Sequence, residues 1–456
     1  MTDQTMTAWN MSNFSRRAGV ALALAGLLAG CSVIGGGKHK PTTPTVGNRI
    51  PVLSHVTNEV AADPTLASVT VVLPPAQVNA EWSTAGGDAS KNLGHLALGD
   101  APQRVWTAAI AGTTGKQRLA AAPVVGNGML YVVDTDGAVN AFDAATGAKR
   151  WTYELGATDA KNLRNTAFGG GATFYEGKVY ATSGNGDVVA LDAATGKPVW
   201  RVKPSGPLRG SPTVAFNAVY AMTQDNQIVA LDLADGHLLW QDVAASGEQG
   251  VFGVAAPAAA QGSVVAGYST GELVAYRYEN GRVLWSDALA RTSISTSVST
   301  LTDVDADPII ADGRVYALGQ GGRMAAYELV TGQRIWELSL AGISTPVIAG
   351  EWIFTLTDDA RLLAIARSTG RVRWVTQLLH YKNEKKHDKP IFWTGPVLAN
   401  NKLWIANSRG EVYSVDVTNG TPTLFTDLKK PISLPPVVAN QTLYILTNDG
   451  KITAYR

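Results

Sequence analysis

The chain has 456 residues, 45% of them hydrophobic and only 16% charged, with a formal net charge of +1. That balance excludes a wholly disordered chain, and the near-zero charge excludes the electrostatic footprint of a nucleic-acid binder. A single Cys excludes a disulfide framework and any Cys-cluster metal site, while 47 Gly, 21 Pro and 12 Trp point to a turn-rich chain of short strands.

At the N-terminal end, Arg16 and Arg17 precede an apolar run over 18–28 that is too short for a comfortable membrane span. The run ends Leu28-Ala29-Gly30-Cys31, which resembles a bacterial lipobox. The resemblance implies cleavage before Cys31 and lipidation of its sulfur, and the only Cys of the chain stands where the lipobox needs it. Ser32, in place of Asp, implies sorting to the outer membrane. Residues 1–30 are therefore expected to be a lipoprotein signal peptide. Its removal takes away Arg16, Arg17 and Asp3 and leaves a formally neutral chain. Residues 31–80, rich in Gly, Pro, Thr and Val without helical periodicity, are expected to be the lipidated Cys and a flexible tether. Residues 69–73 are a strand-like run within it.

The remainder is a repeat. The unit AAPVVGNGMLYVVDTDGAVNAFDAATGAKRW at 121–151 recurs in register from residues 170, 210, 255, 306, 344 and 394. An eighth copy begins at 434 and stops at the last residue without its Trp strand; Gln103-Arg104-Val105-Trp106 supplies that strand from the other end. The first unit divides into strands at 123–125, 129–134, 138–143 and 148–151. Asp136-Gly137 and Asp143-Ala144-Ala145-Thr146-Gly147 form turns between them, suited to positive φ. Links this short permit only antiparallel meanders. The expected fold is all-β: an eight-bladed β-propeller of four-stranded antiparallel blades over 81–456, its ring closed by an N-terminal strand. Trp106, Trp151, Trp200, Trp240, Trp285, Trp336 and Trp374 then fill the gaps between neighbouring blades, with Phe425 near the eighth such place.

The repeat resembles that of the quinoprotein alcohol dehydrogenases, propellers that hold pyrroloquinoline quinone and calcium near the axis beneath a vicinal Cys-Cys disulfide. The single Cys departs from that pattern. The six His form no metal motif, no phosphate loop or nucleophile elbow occurs, and Asp143, Asp192, Asp232 and Asp416 share one turn position. No catalytic residue, metal ligand or cofactor is assigned, and the expectation is a non-enzymatic binding scaffold. The alternatives are a quinoprotein-like cofactor-binding propeller and a cell-wall-binding one.

Residues that break the repeat carry the site expectations. The segments ahead of the first strand in units three, five and seven lie at equal depth and so on one face of the ring. They carry Leu208 and Arg209, Asp303 and Asp305, and Phe392 and Trp393. Arg and aromatics on one face suit partner binding, with Phe392 and Trp393 as additional rim contacts. The other possibility is that Arg209 bridges an Asp across the channel mouth and holds loops in place. The 380–389 stretch sets Lys382, Lys385, Lys386 and Lys389 against Glu384 and Asp388. It reads as a solvated loop, or as a contact for an acidic partner or anionic lipid headgroups.

Taken together, the lipobox, the eight repeats and the segments Pro207-Leu208-Arg209-Gly210-Ser211-Pro212 and Leu301-Thr302-Asp303-Val304-Asp305 resemble the BamB family. These are the propeller lipoproteins of the outer-membrane β-barrel assembly (BAM) machinery. The resemblance implies a scaffold on the periplasmic face of the outer membrane that assists barrel folding and insertion, with unfolded outer-membrane clients as a further candidate partner. It also implies that Leu208 and Arg209 contact the POTRA domains of BamA, with Asp303 and Asp305 as a supporting acidic pair. Gly206 stands where that family carries a further Leu.

Overall fold

The computed structural model describes residues 60–155, 168–244, 253–289 and 303–456. The expected signal peptide, Cys31, the first part of the expected tether, and Leu301 and Thr302 lie outside the described residues. The rest forms eight four-stranded antiparallel sheets. Blade 1 is built from Val124–Gly126, Met129–Val133, Ala138–Asp143 and Lys149–Glu154. Blades 2 to 7 open with Gly170–Tyr175, Thr213–Ala215, Ala258–Ala260, Ile309–Ala311, Val347–Ala349 and Trp393–Ala399. Blade 8 takes Val437–Ala439, Thr442–Leu446 and Lys451–Tyr455 from the C-terminal end and Arg104–Ala109 from the other. That last pairing runs from Arg104 against Tyr455 to Ala109 against Lys451, and Gln103 and Arg456 exchange backbone hydrogen bonds just beyond it.

Burial follows the position of each strand. The third strand of blade 1 is buried along nearly its whole length, because neighbouring blades cover both faces. Outer strands are mostly exposed, with the Trp as the residue turned inward in blades 2, 3 and 4. Each of the seven Trp crosses to the following blade and donates its indole N–H to a turn carbonyl there. Trp106 meets Ala144 at 3.1 Å, Trp200 meets Leu233 at 3.1 Å and Trp374 meets Val417 at 2.9 Å. The receiving turn is shaped for the ring. Gly147 has φ 73°, and a Cβ on it would lie 2.5 Å from the Trp106 indole. Asp143 holds that turn by accepting from the backbone N–H groups of Ala145 and Thr146. The seam between blades 7 and 8 is different, because the chain ends before blade 8 makes such a turn. There Phe425 packs edge-on against Trp404 and Tyr455, with ring centroids 5.1 Å apart in each pair.

The segment preceding the ring departs from the expected tether. From residue 60 the chain is laid against the propeller. Asp63 donates its backbone N–H to Val372 of blade 6, and Val71 is buried in the core shared by blades 6 and 7. Residues 69–73 make no strand. Residues 79–96 then circle one mouth of the central channel as a strap. Asn79 bonds Asn440 of blade 8, Trp82 pairs with Val125 of blade 1, and Ser83 accepts from Phe174 of blade 2. Thr84 reaches Pro212 of blade 3, Ala89 and Ser90 accept from Ala259 and Ile310 of blades 4 and 5, and Leu96 pairs with blade 7. All these partners lie at or next to the first strand of their blade, so the strap covers the mouth where those strands end. The opposite mouth is bordered by the connections between blades.

Candidate functional site at the channel mouth

The connections into blades 3 and 5 converge on the axis. Leu208 makes a bridge to Thr223, and the Arg209 backbone N–H bonds the Met222 carbonyl. This fixes both residues against the second strand of their own blade and sends the Arg209 side chain across the channel. Its Nη2 meets Asp303 Oδ1 at 2.9 Å and Asp305 Oδ1 at 3.7 Å. Leu208 and Asp303 are 0% exposed and Arg209 is 1% exposed. Of the two roles open for Arg209, the geometry is that of the bridge across the channel. The structure places Leu208, Arg209 and Asp303 in the interior, in the two connections into blades 3 and 5, rather than on an exposed rim. Asp305 remains one-fifth exposed at its side chain.

The surrounding backbone is fitted to these charges. Asp305 accepts from the N–H groups of Val254 and Ala255, and Asp307 accepts from Ala256 at 2.7 Å. Gly253 lies over the ion pair. A Cβ there would collide with Arg209 Nη2 and sit 2.7 Å from Oδ2 of Asp303 and Oδ1 of Asp305. Towards the strap, Lys91 is buried and donates from Nζ to Thr213 Oγ1 at 3.0 Å. Among the described residues Arg209 Nε and Nη1 and Asp303 Oδ2 have no hydrogen-bond partner. Burial, aided by the Asp303 carboxylate, pushes Asp305 up to about 6. Asp358 is also pushed up to about 6, by burial and then by Asp359 and Asp305. Burial raises Asp307 and lowers Lys91. The sequence offered no sign of Lys91 or Gly253, which lie outside the repeat units, or of Asp307 and Asp358, which lie within units but at places that carry no recurrent charge.

Phe392 and Trp393 are separate from this cluster. Trp393 begins the first strand of blade 7, is half-buried against Tyr413, and donates from Nε1 to the Leu379 carbonyl at 2.8 Å. Phe392 points outward and is 68% exposed. The 380–389 stretch forms a two-stranded hairpin of Tyr381–Asn383 and Asp388–Pro390. One group with metal-ligand spacing occurs among the described residues, Asp232, Asp235 and His237 in a turn of blade 3. There His237 Nδ1 is 2.7 Å from Asp235 Oδ1, in a pair that is largely exposed.

The fold and the site define a class: a closed eight-bladed propeller of quinoprotein-like repeats whose axis carries a buried charge cluster satisfied largely within the protein. The family described as "Outer membrane protein assembly factor BamB" matches residues 103–167 and 156–376. The assembly factor of that name from Salmonella typhimurium is 31% identical over 77% of this chain and 88% of its own length. That from Escherichia coli is 30% identical over 77% and 88%. This chain belongs to the BamB family. The crystal structure of BamB from Moraxella catarrhalis superimposes with a TM-score of 0.67, at 19% identity, over 78% of this chain and 99% of that one. A quinohemoprotein alcohol dehydrogenase from Comamonas testosteroni does so at 0.64, with 14% identity over 83% and 81%. That likeness is one of fold. The residues on this axis do not fit a calcium-bound quinone: Asp305 and Asp307 are spent on backbone N–H groups and Asp303 on Arg209. The sequence also has no second Cys for a vicinal disulfide.

Proposed function

We propose that this chain is a non-catalytic scaffold of the outer-membrane β-barrel assembly machinery. In this reading it is held at the periplasmic face of the outer membrane by lipid on Cys31 and binds the POTRA domains of BamA through the face bordered by the blade connections. The observation that carries the reading is the meeting of the two family-like segments, 94 residues apart in sequence, in one ion pair at that face. With Leu208, Arg209 and Asp303 buried, their part is to position. The Arg209–Asp303 bridge fixes the height at which Pro207 and Asp305, next to them and more accessible, meet a partner.

The test is affinity purification from solubilised outer membranes with the tagged full chain as bait. BamA is expected to co-purify. It is expected to be lost from Leu208→Ala/Arg209→Ala, with binding partly restored by Arg209→Lys, which keeps a cation opposite Asp303. A chain that recovers no assembly subunit under conditions that preserve the complex would overturn the reading.

A further inference from the structure

The connection from blade 6 to blade 7 is built unlike the others described. Its hairpin is paired at Tyr381 with Pro390 and at Asn383 with Asp388, and residues 382–390 are all exposed. The tip is stiffened by its own rings, with His380 and Tyr381 centroids 4.3 Å apart and Tyr381 and His387 4.9 Å apart. Four lysines, at 382, 385, 386 and 389, stand against two carboxylates. One of these, Glu384, is turned back onto the hairpin, accepting from the N–H groups of His380 at 2.9 Å and Tyr381 at 3.0 Å. The base of the hairpin is apolar and outward. Leu379 is 50% exposed and Phe392 is 68% exposed. The exposure of Phe392 is imposed by its backbone, which is clamped to Ser408 through its N–H at 3.0 Å and its carbonyl at 2.8 Å.

The incoming chain arrives at the same place. The Val60 carbonyl accepts from Arg361 Nη1 at 3.5 Å, and Arg361 pairs with Gln377, two residues before Leu379. The polypeptide leading back to Cys31 thus leaves blade 6 at the end from which the hairpin projects. Residues 32–59 separate the two, a reach of at most about 100 Å when fully extended.

We propose that the hairpin and its apolar base form a lipid-docking finger that rests on anionic phospholipid, lysines at the headgroups and Phe392 and Leu379 in the interfacial layer. Basic side chains beside an exposed aromatic are the pairing used by interfacial anchors, and a single weak contact becomes effective when an acyl anchor holds the protein nearby. The arrival at this edge of the chain leading to the proposed anchor favours a bilayer over an acidic protein as the occupant. The inference rests on the reading of Cys31 as the lipidated residue, and its test is made without that lipid.

The full chain with Cys31→Ala is incubated with vesicles of phosphatidylcholine, with or without phosphatidylglycerol, and sedimented. It is expected to bind only the anionic vesicles and to be released at about 0.5 M salt. Lys382→Ala/Lys385→Ala/Lys386→Ala/Lys389→Ala is expected to lower the partition coefficient at least about 30-fold, and Phe392→Ser about tenfold. Lys197→Ala/Arg282→Ala, in turns at the strap side, is expected to leave it unchanged. Equal binding to both vesicle types, or undiminished binding by the quadruple variant, would overturn the finger. So would a quadruple variant that keeps its vesicle affinity but loses BamA, since the hairpin would then face a protein. Purification of BamA by the same Cys31→Ala chain from detergent reports on the scaffold reading separately, because no bilayer is present.

Discussion

The connections into blade 3 and into blade 7 occupy the same place in the repeat and meet opposite fates. In the first, Leu208 and Arg209 are drawn to the second strand of their own blade, and the charged side chain is swallowed by the axis. In the second, the added residues pair with one another as a hairpin, so the lysines and Phe392 are carried outward. Depth in the repeat decides which end of the ring a residue occupies. Whether a connection's residues pair with their own blade or with one another decides whether they face the axis or the solvent. Charge at the first place is an internal matter of stability, and charge at the second is available to a partner.

The sharpest way to break this contrast is Asp303→Ala. It leaves the buried Arg209 guanidinium with only Asp305, 3.7 Å away, as compensation, and an uncompensated buried charge costs about 3–5 kcal/mol. A large fall in melting temperature is expected by circular dichroism, whereas Arg209→Met/Asp303→Leu, which removes both charges, should lose much less. A smaller effect is expected for Gly253→Ala, whose methyl group must displace the ion pair. Overpacking of this kind costs about 1–3 kcal/mol in a denaturant titration.

The next effect is one of pH. Asp305 titrates near 6 in the folded chain against 3.8 in the unfolded one, so between about pH 4 and 6 the native state holds the extra proton. Its contribution to stability is present at the acid end of that window and is lost as pH rises through it. Asp305→Asn should therefore gain on the wild type in melting temperature from pH 4 to 7. The variant's own profile should be flatter without being flat, because Asp358 titrates in the same window. The smallest stability effect belongs to the other connection. The quadruple lysine variant of the hairpin should melt within about 0.5 kcal/mol of the wild type, as exposed substitutions do. A hairpin variant as damaging as Asp303→Ala would erase the distinction between the two connections.

Much of the ring was legible because its seams are written in side chains. Seven Trp recur at one place, each is matched by a turn glycine in the following blade, and the strand missing from the eighth repeat was visible at 103–106. The Arg209–Asp303 bridge was half legible. Both residues stood out, and a bridge was one of two roles open to Arg209, but spacing along the chain cannot tell a side chain turned to the axis from one turned to a partner. The strap was not legible. Its contacts are mostly backbone hydrogen bonds made singly to different blades, so residues 60–98 need no alternation and carry no period. Two signals were present: Trp82, outside the repeat's Trp position, and Gly86-Gly87, both at positive φ, where a Cβ on Gly87 would collide with Leu93.

The strap also bears on the order in which the molecule is made. Residues 79–109 leave the ribosome before any blade exists, yet their partners include Asn440 to Tyr455, which follow more than 300 residues later. The leading end must wait, with Trp82 and Trp106 uncovered, until the trailing end is delivered. A chain lacking Lys451–Tyr455 would lose the strand that Arg104–Ala109 pairs with, and with it the closing sheet. Closure of the ring is thus tied to the delivery of Lys451–Tyr455.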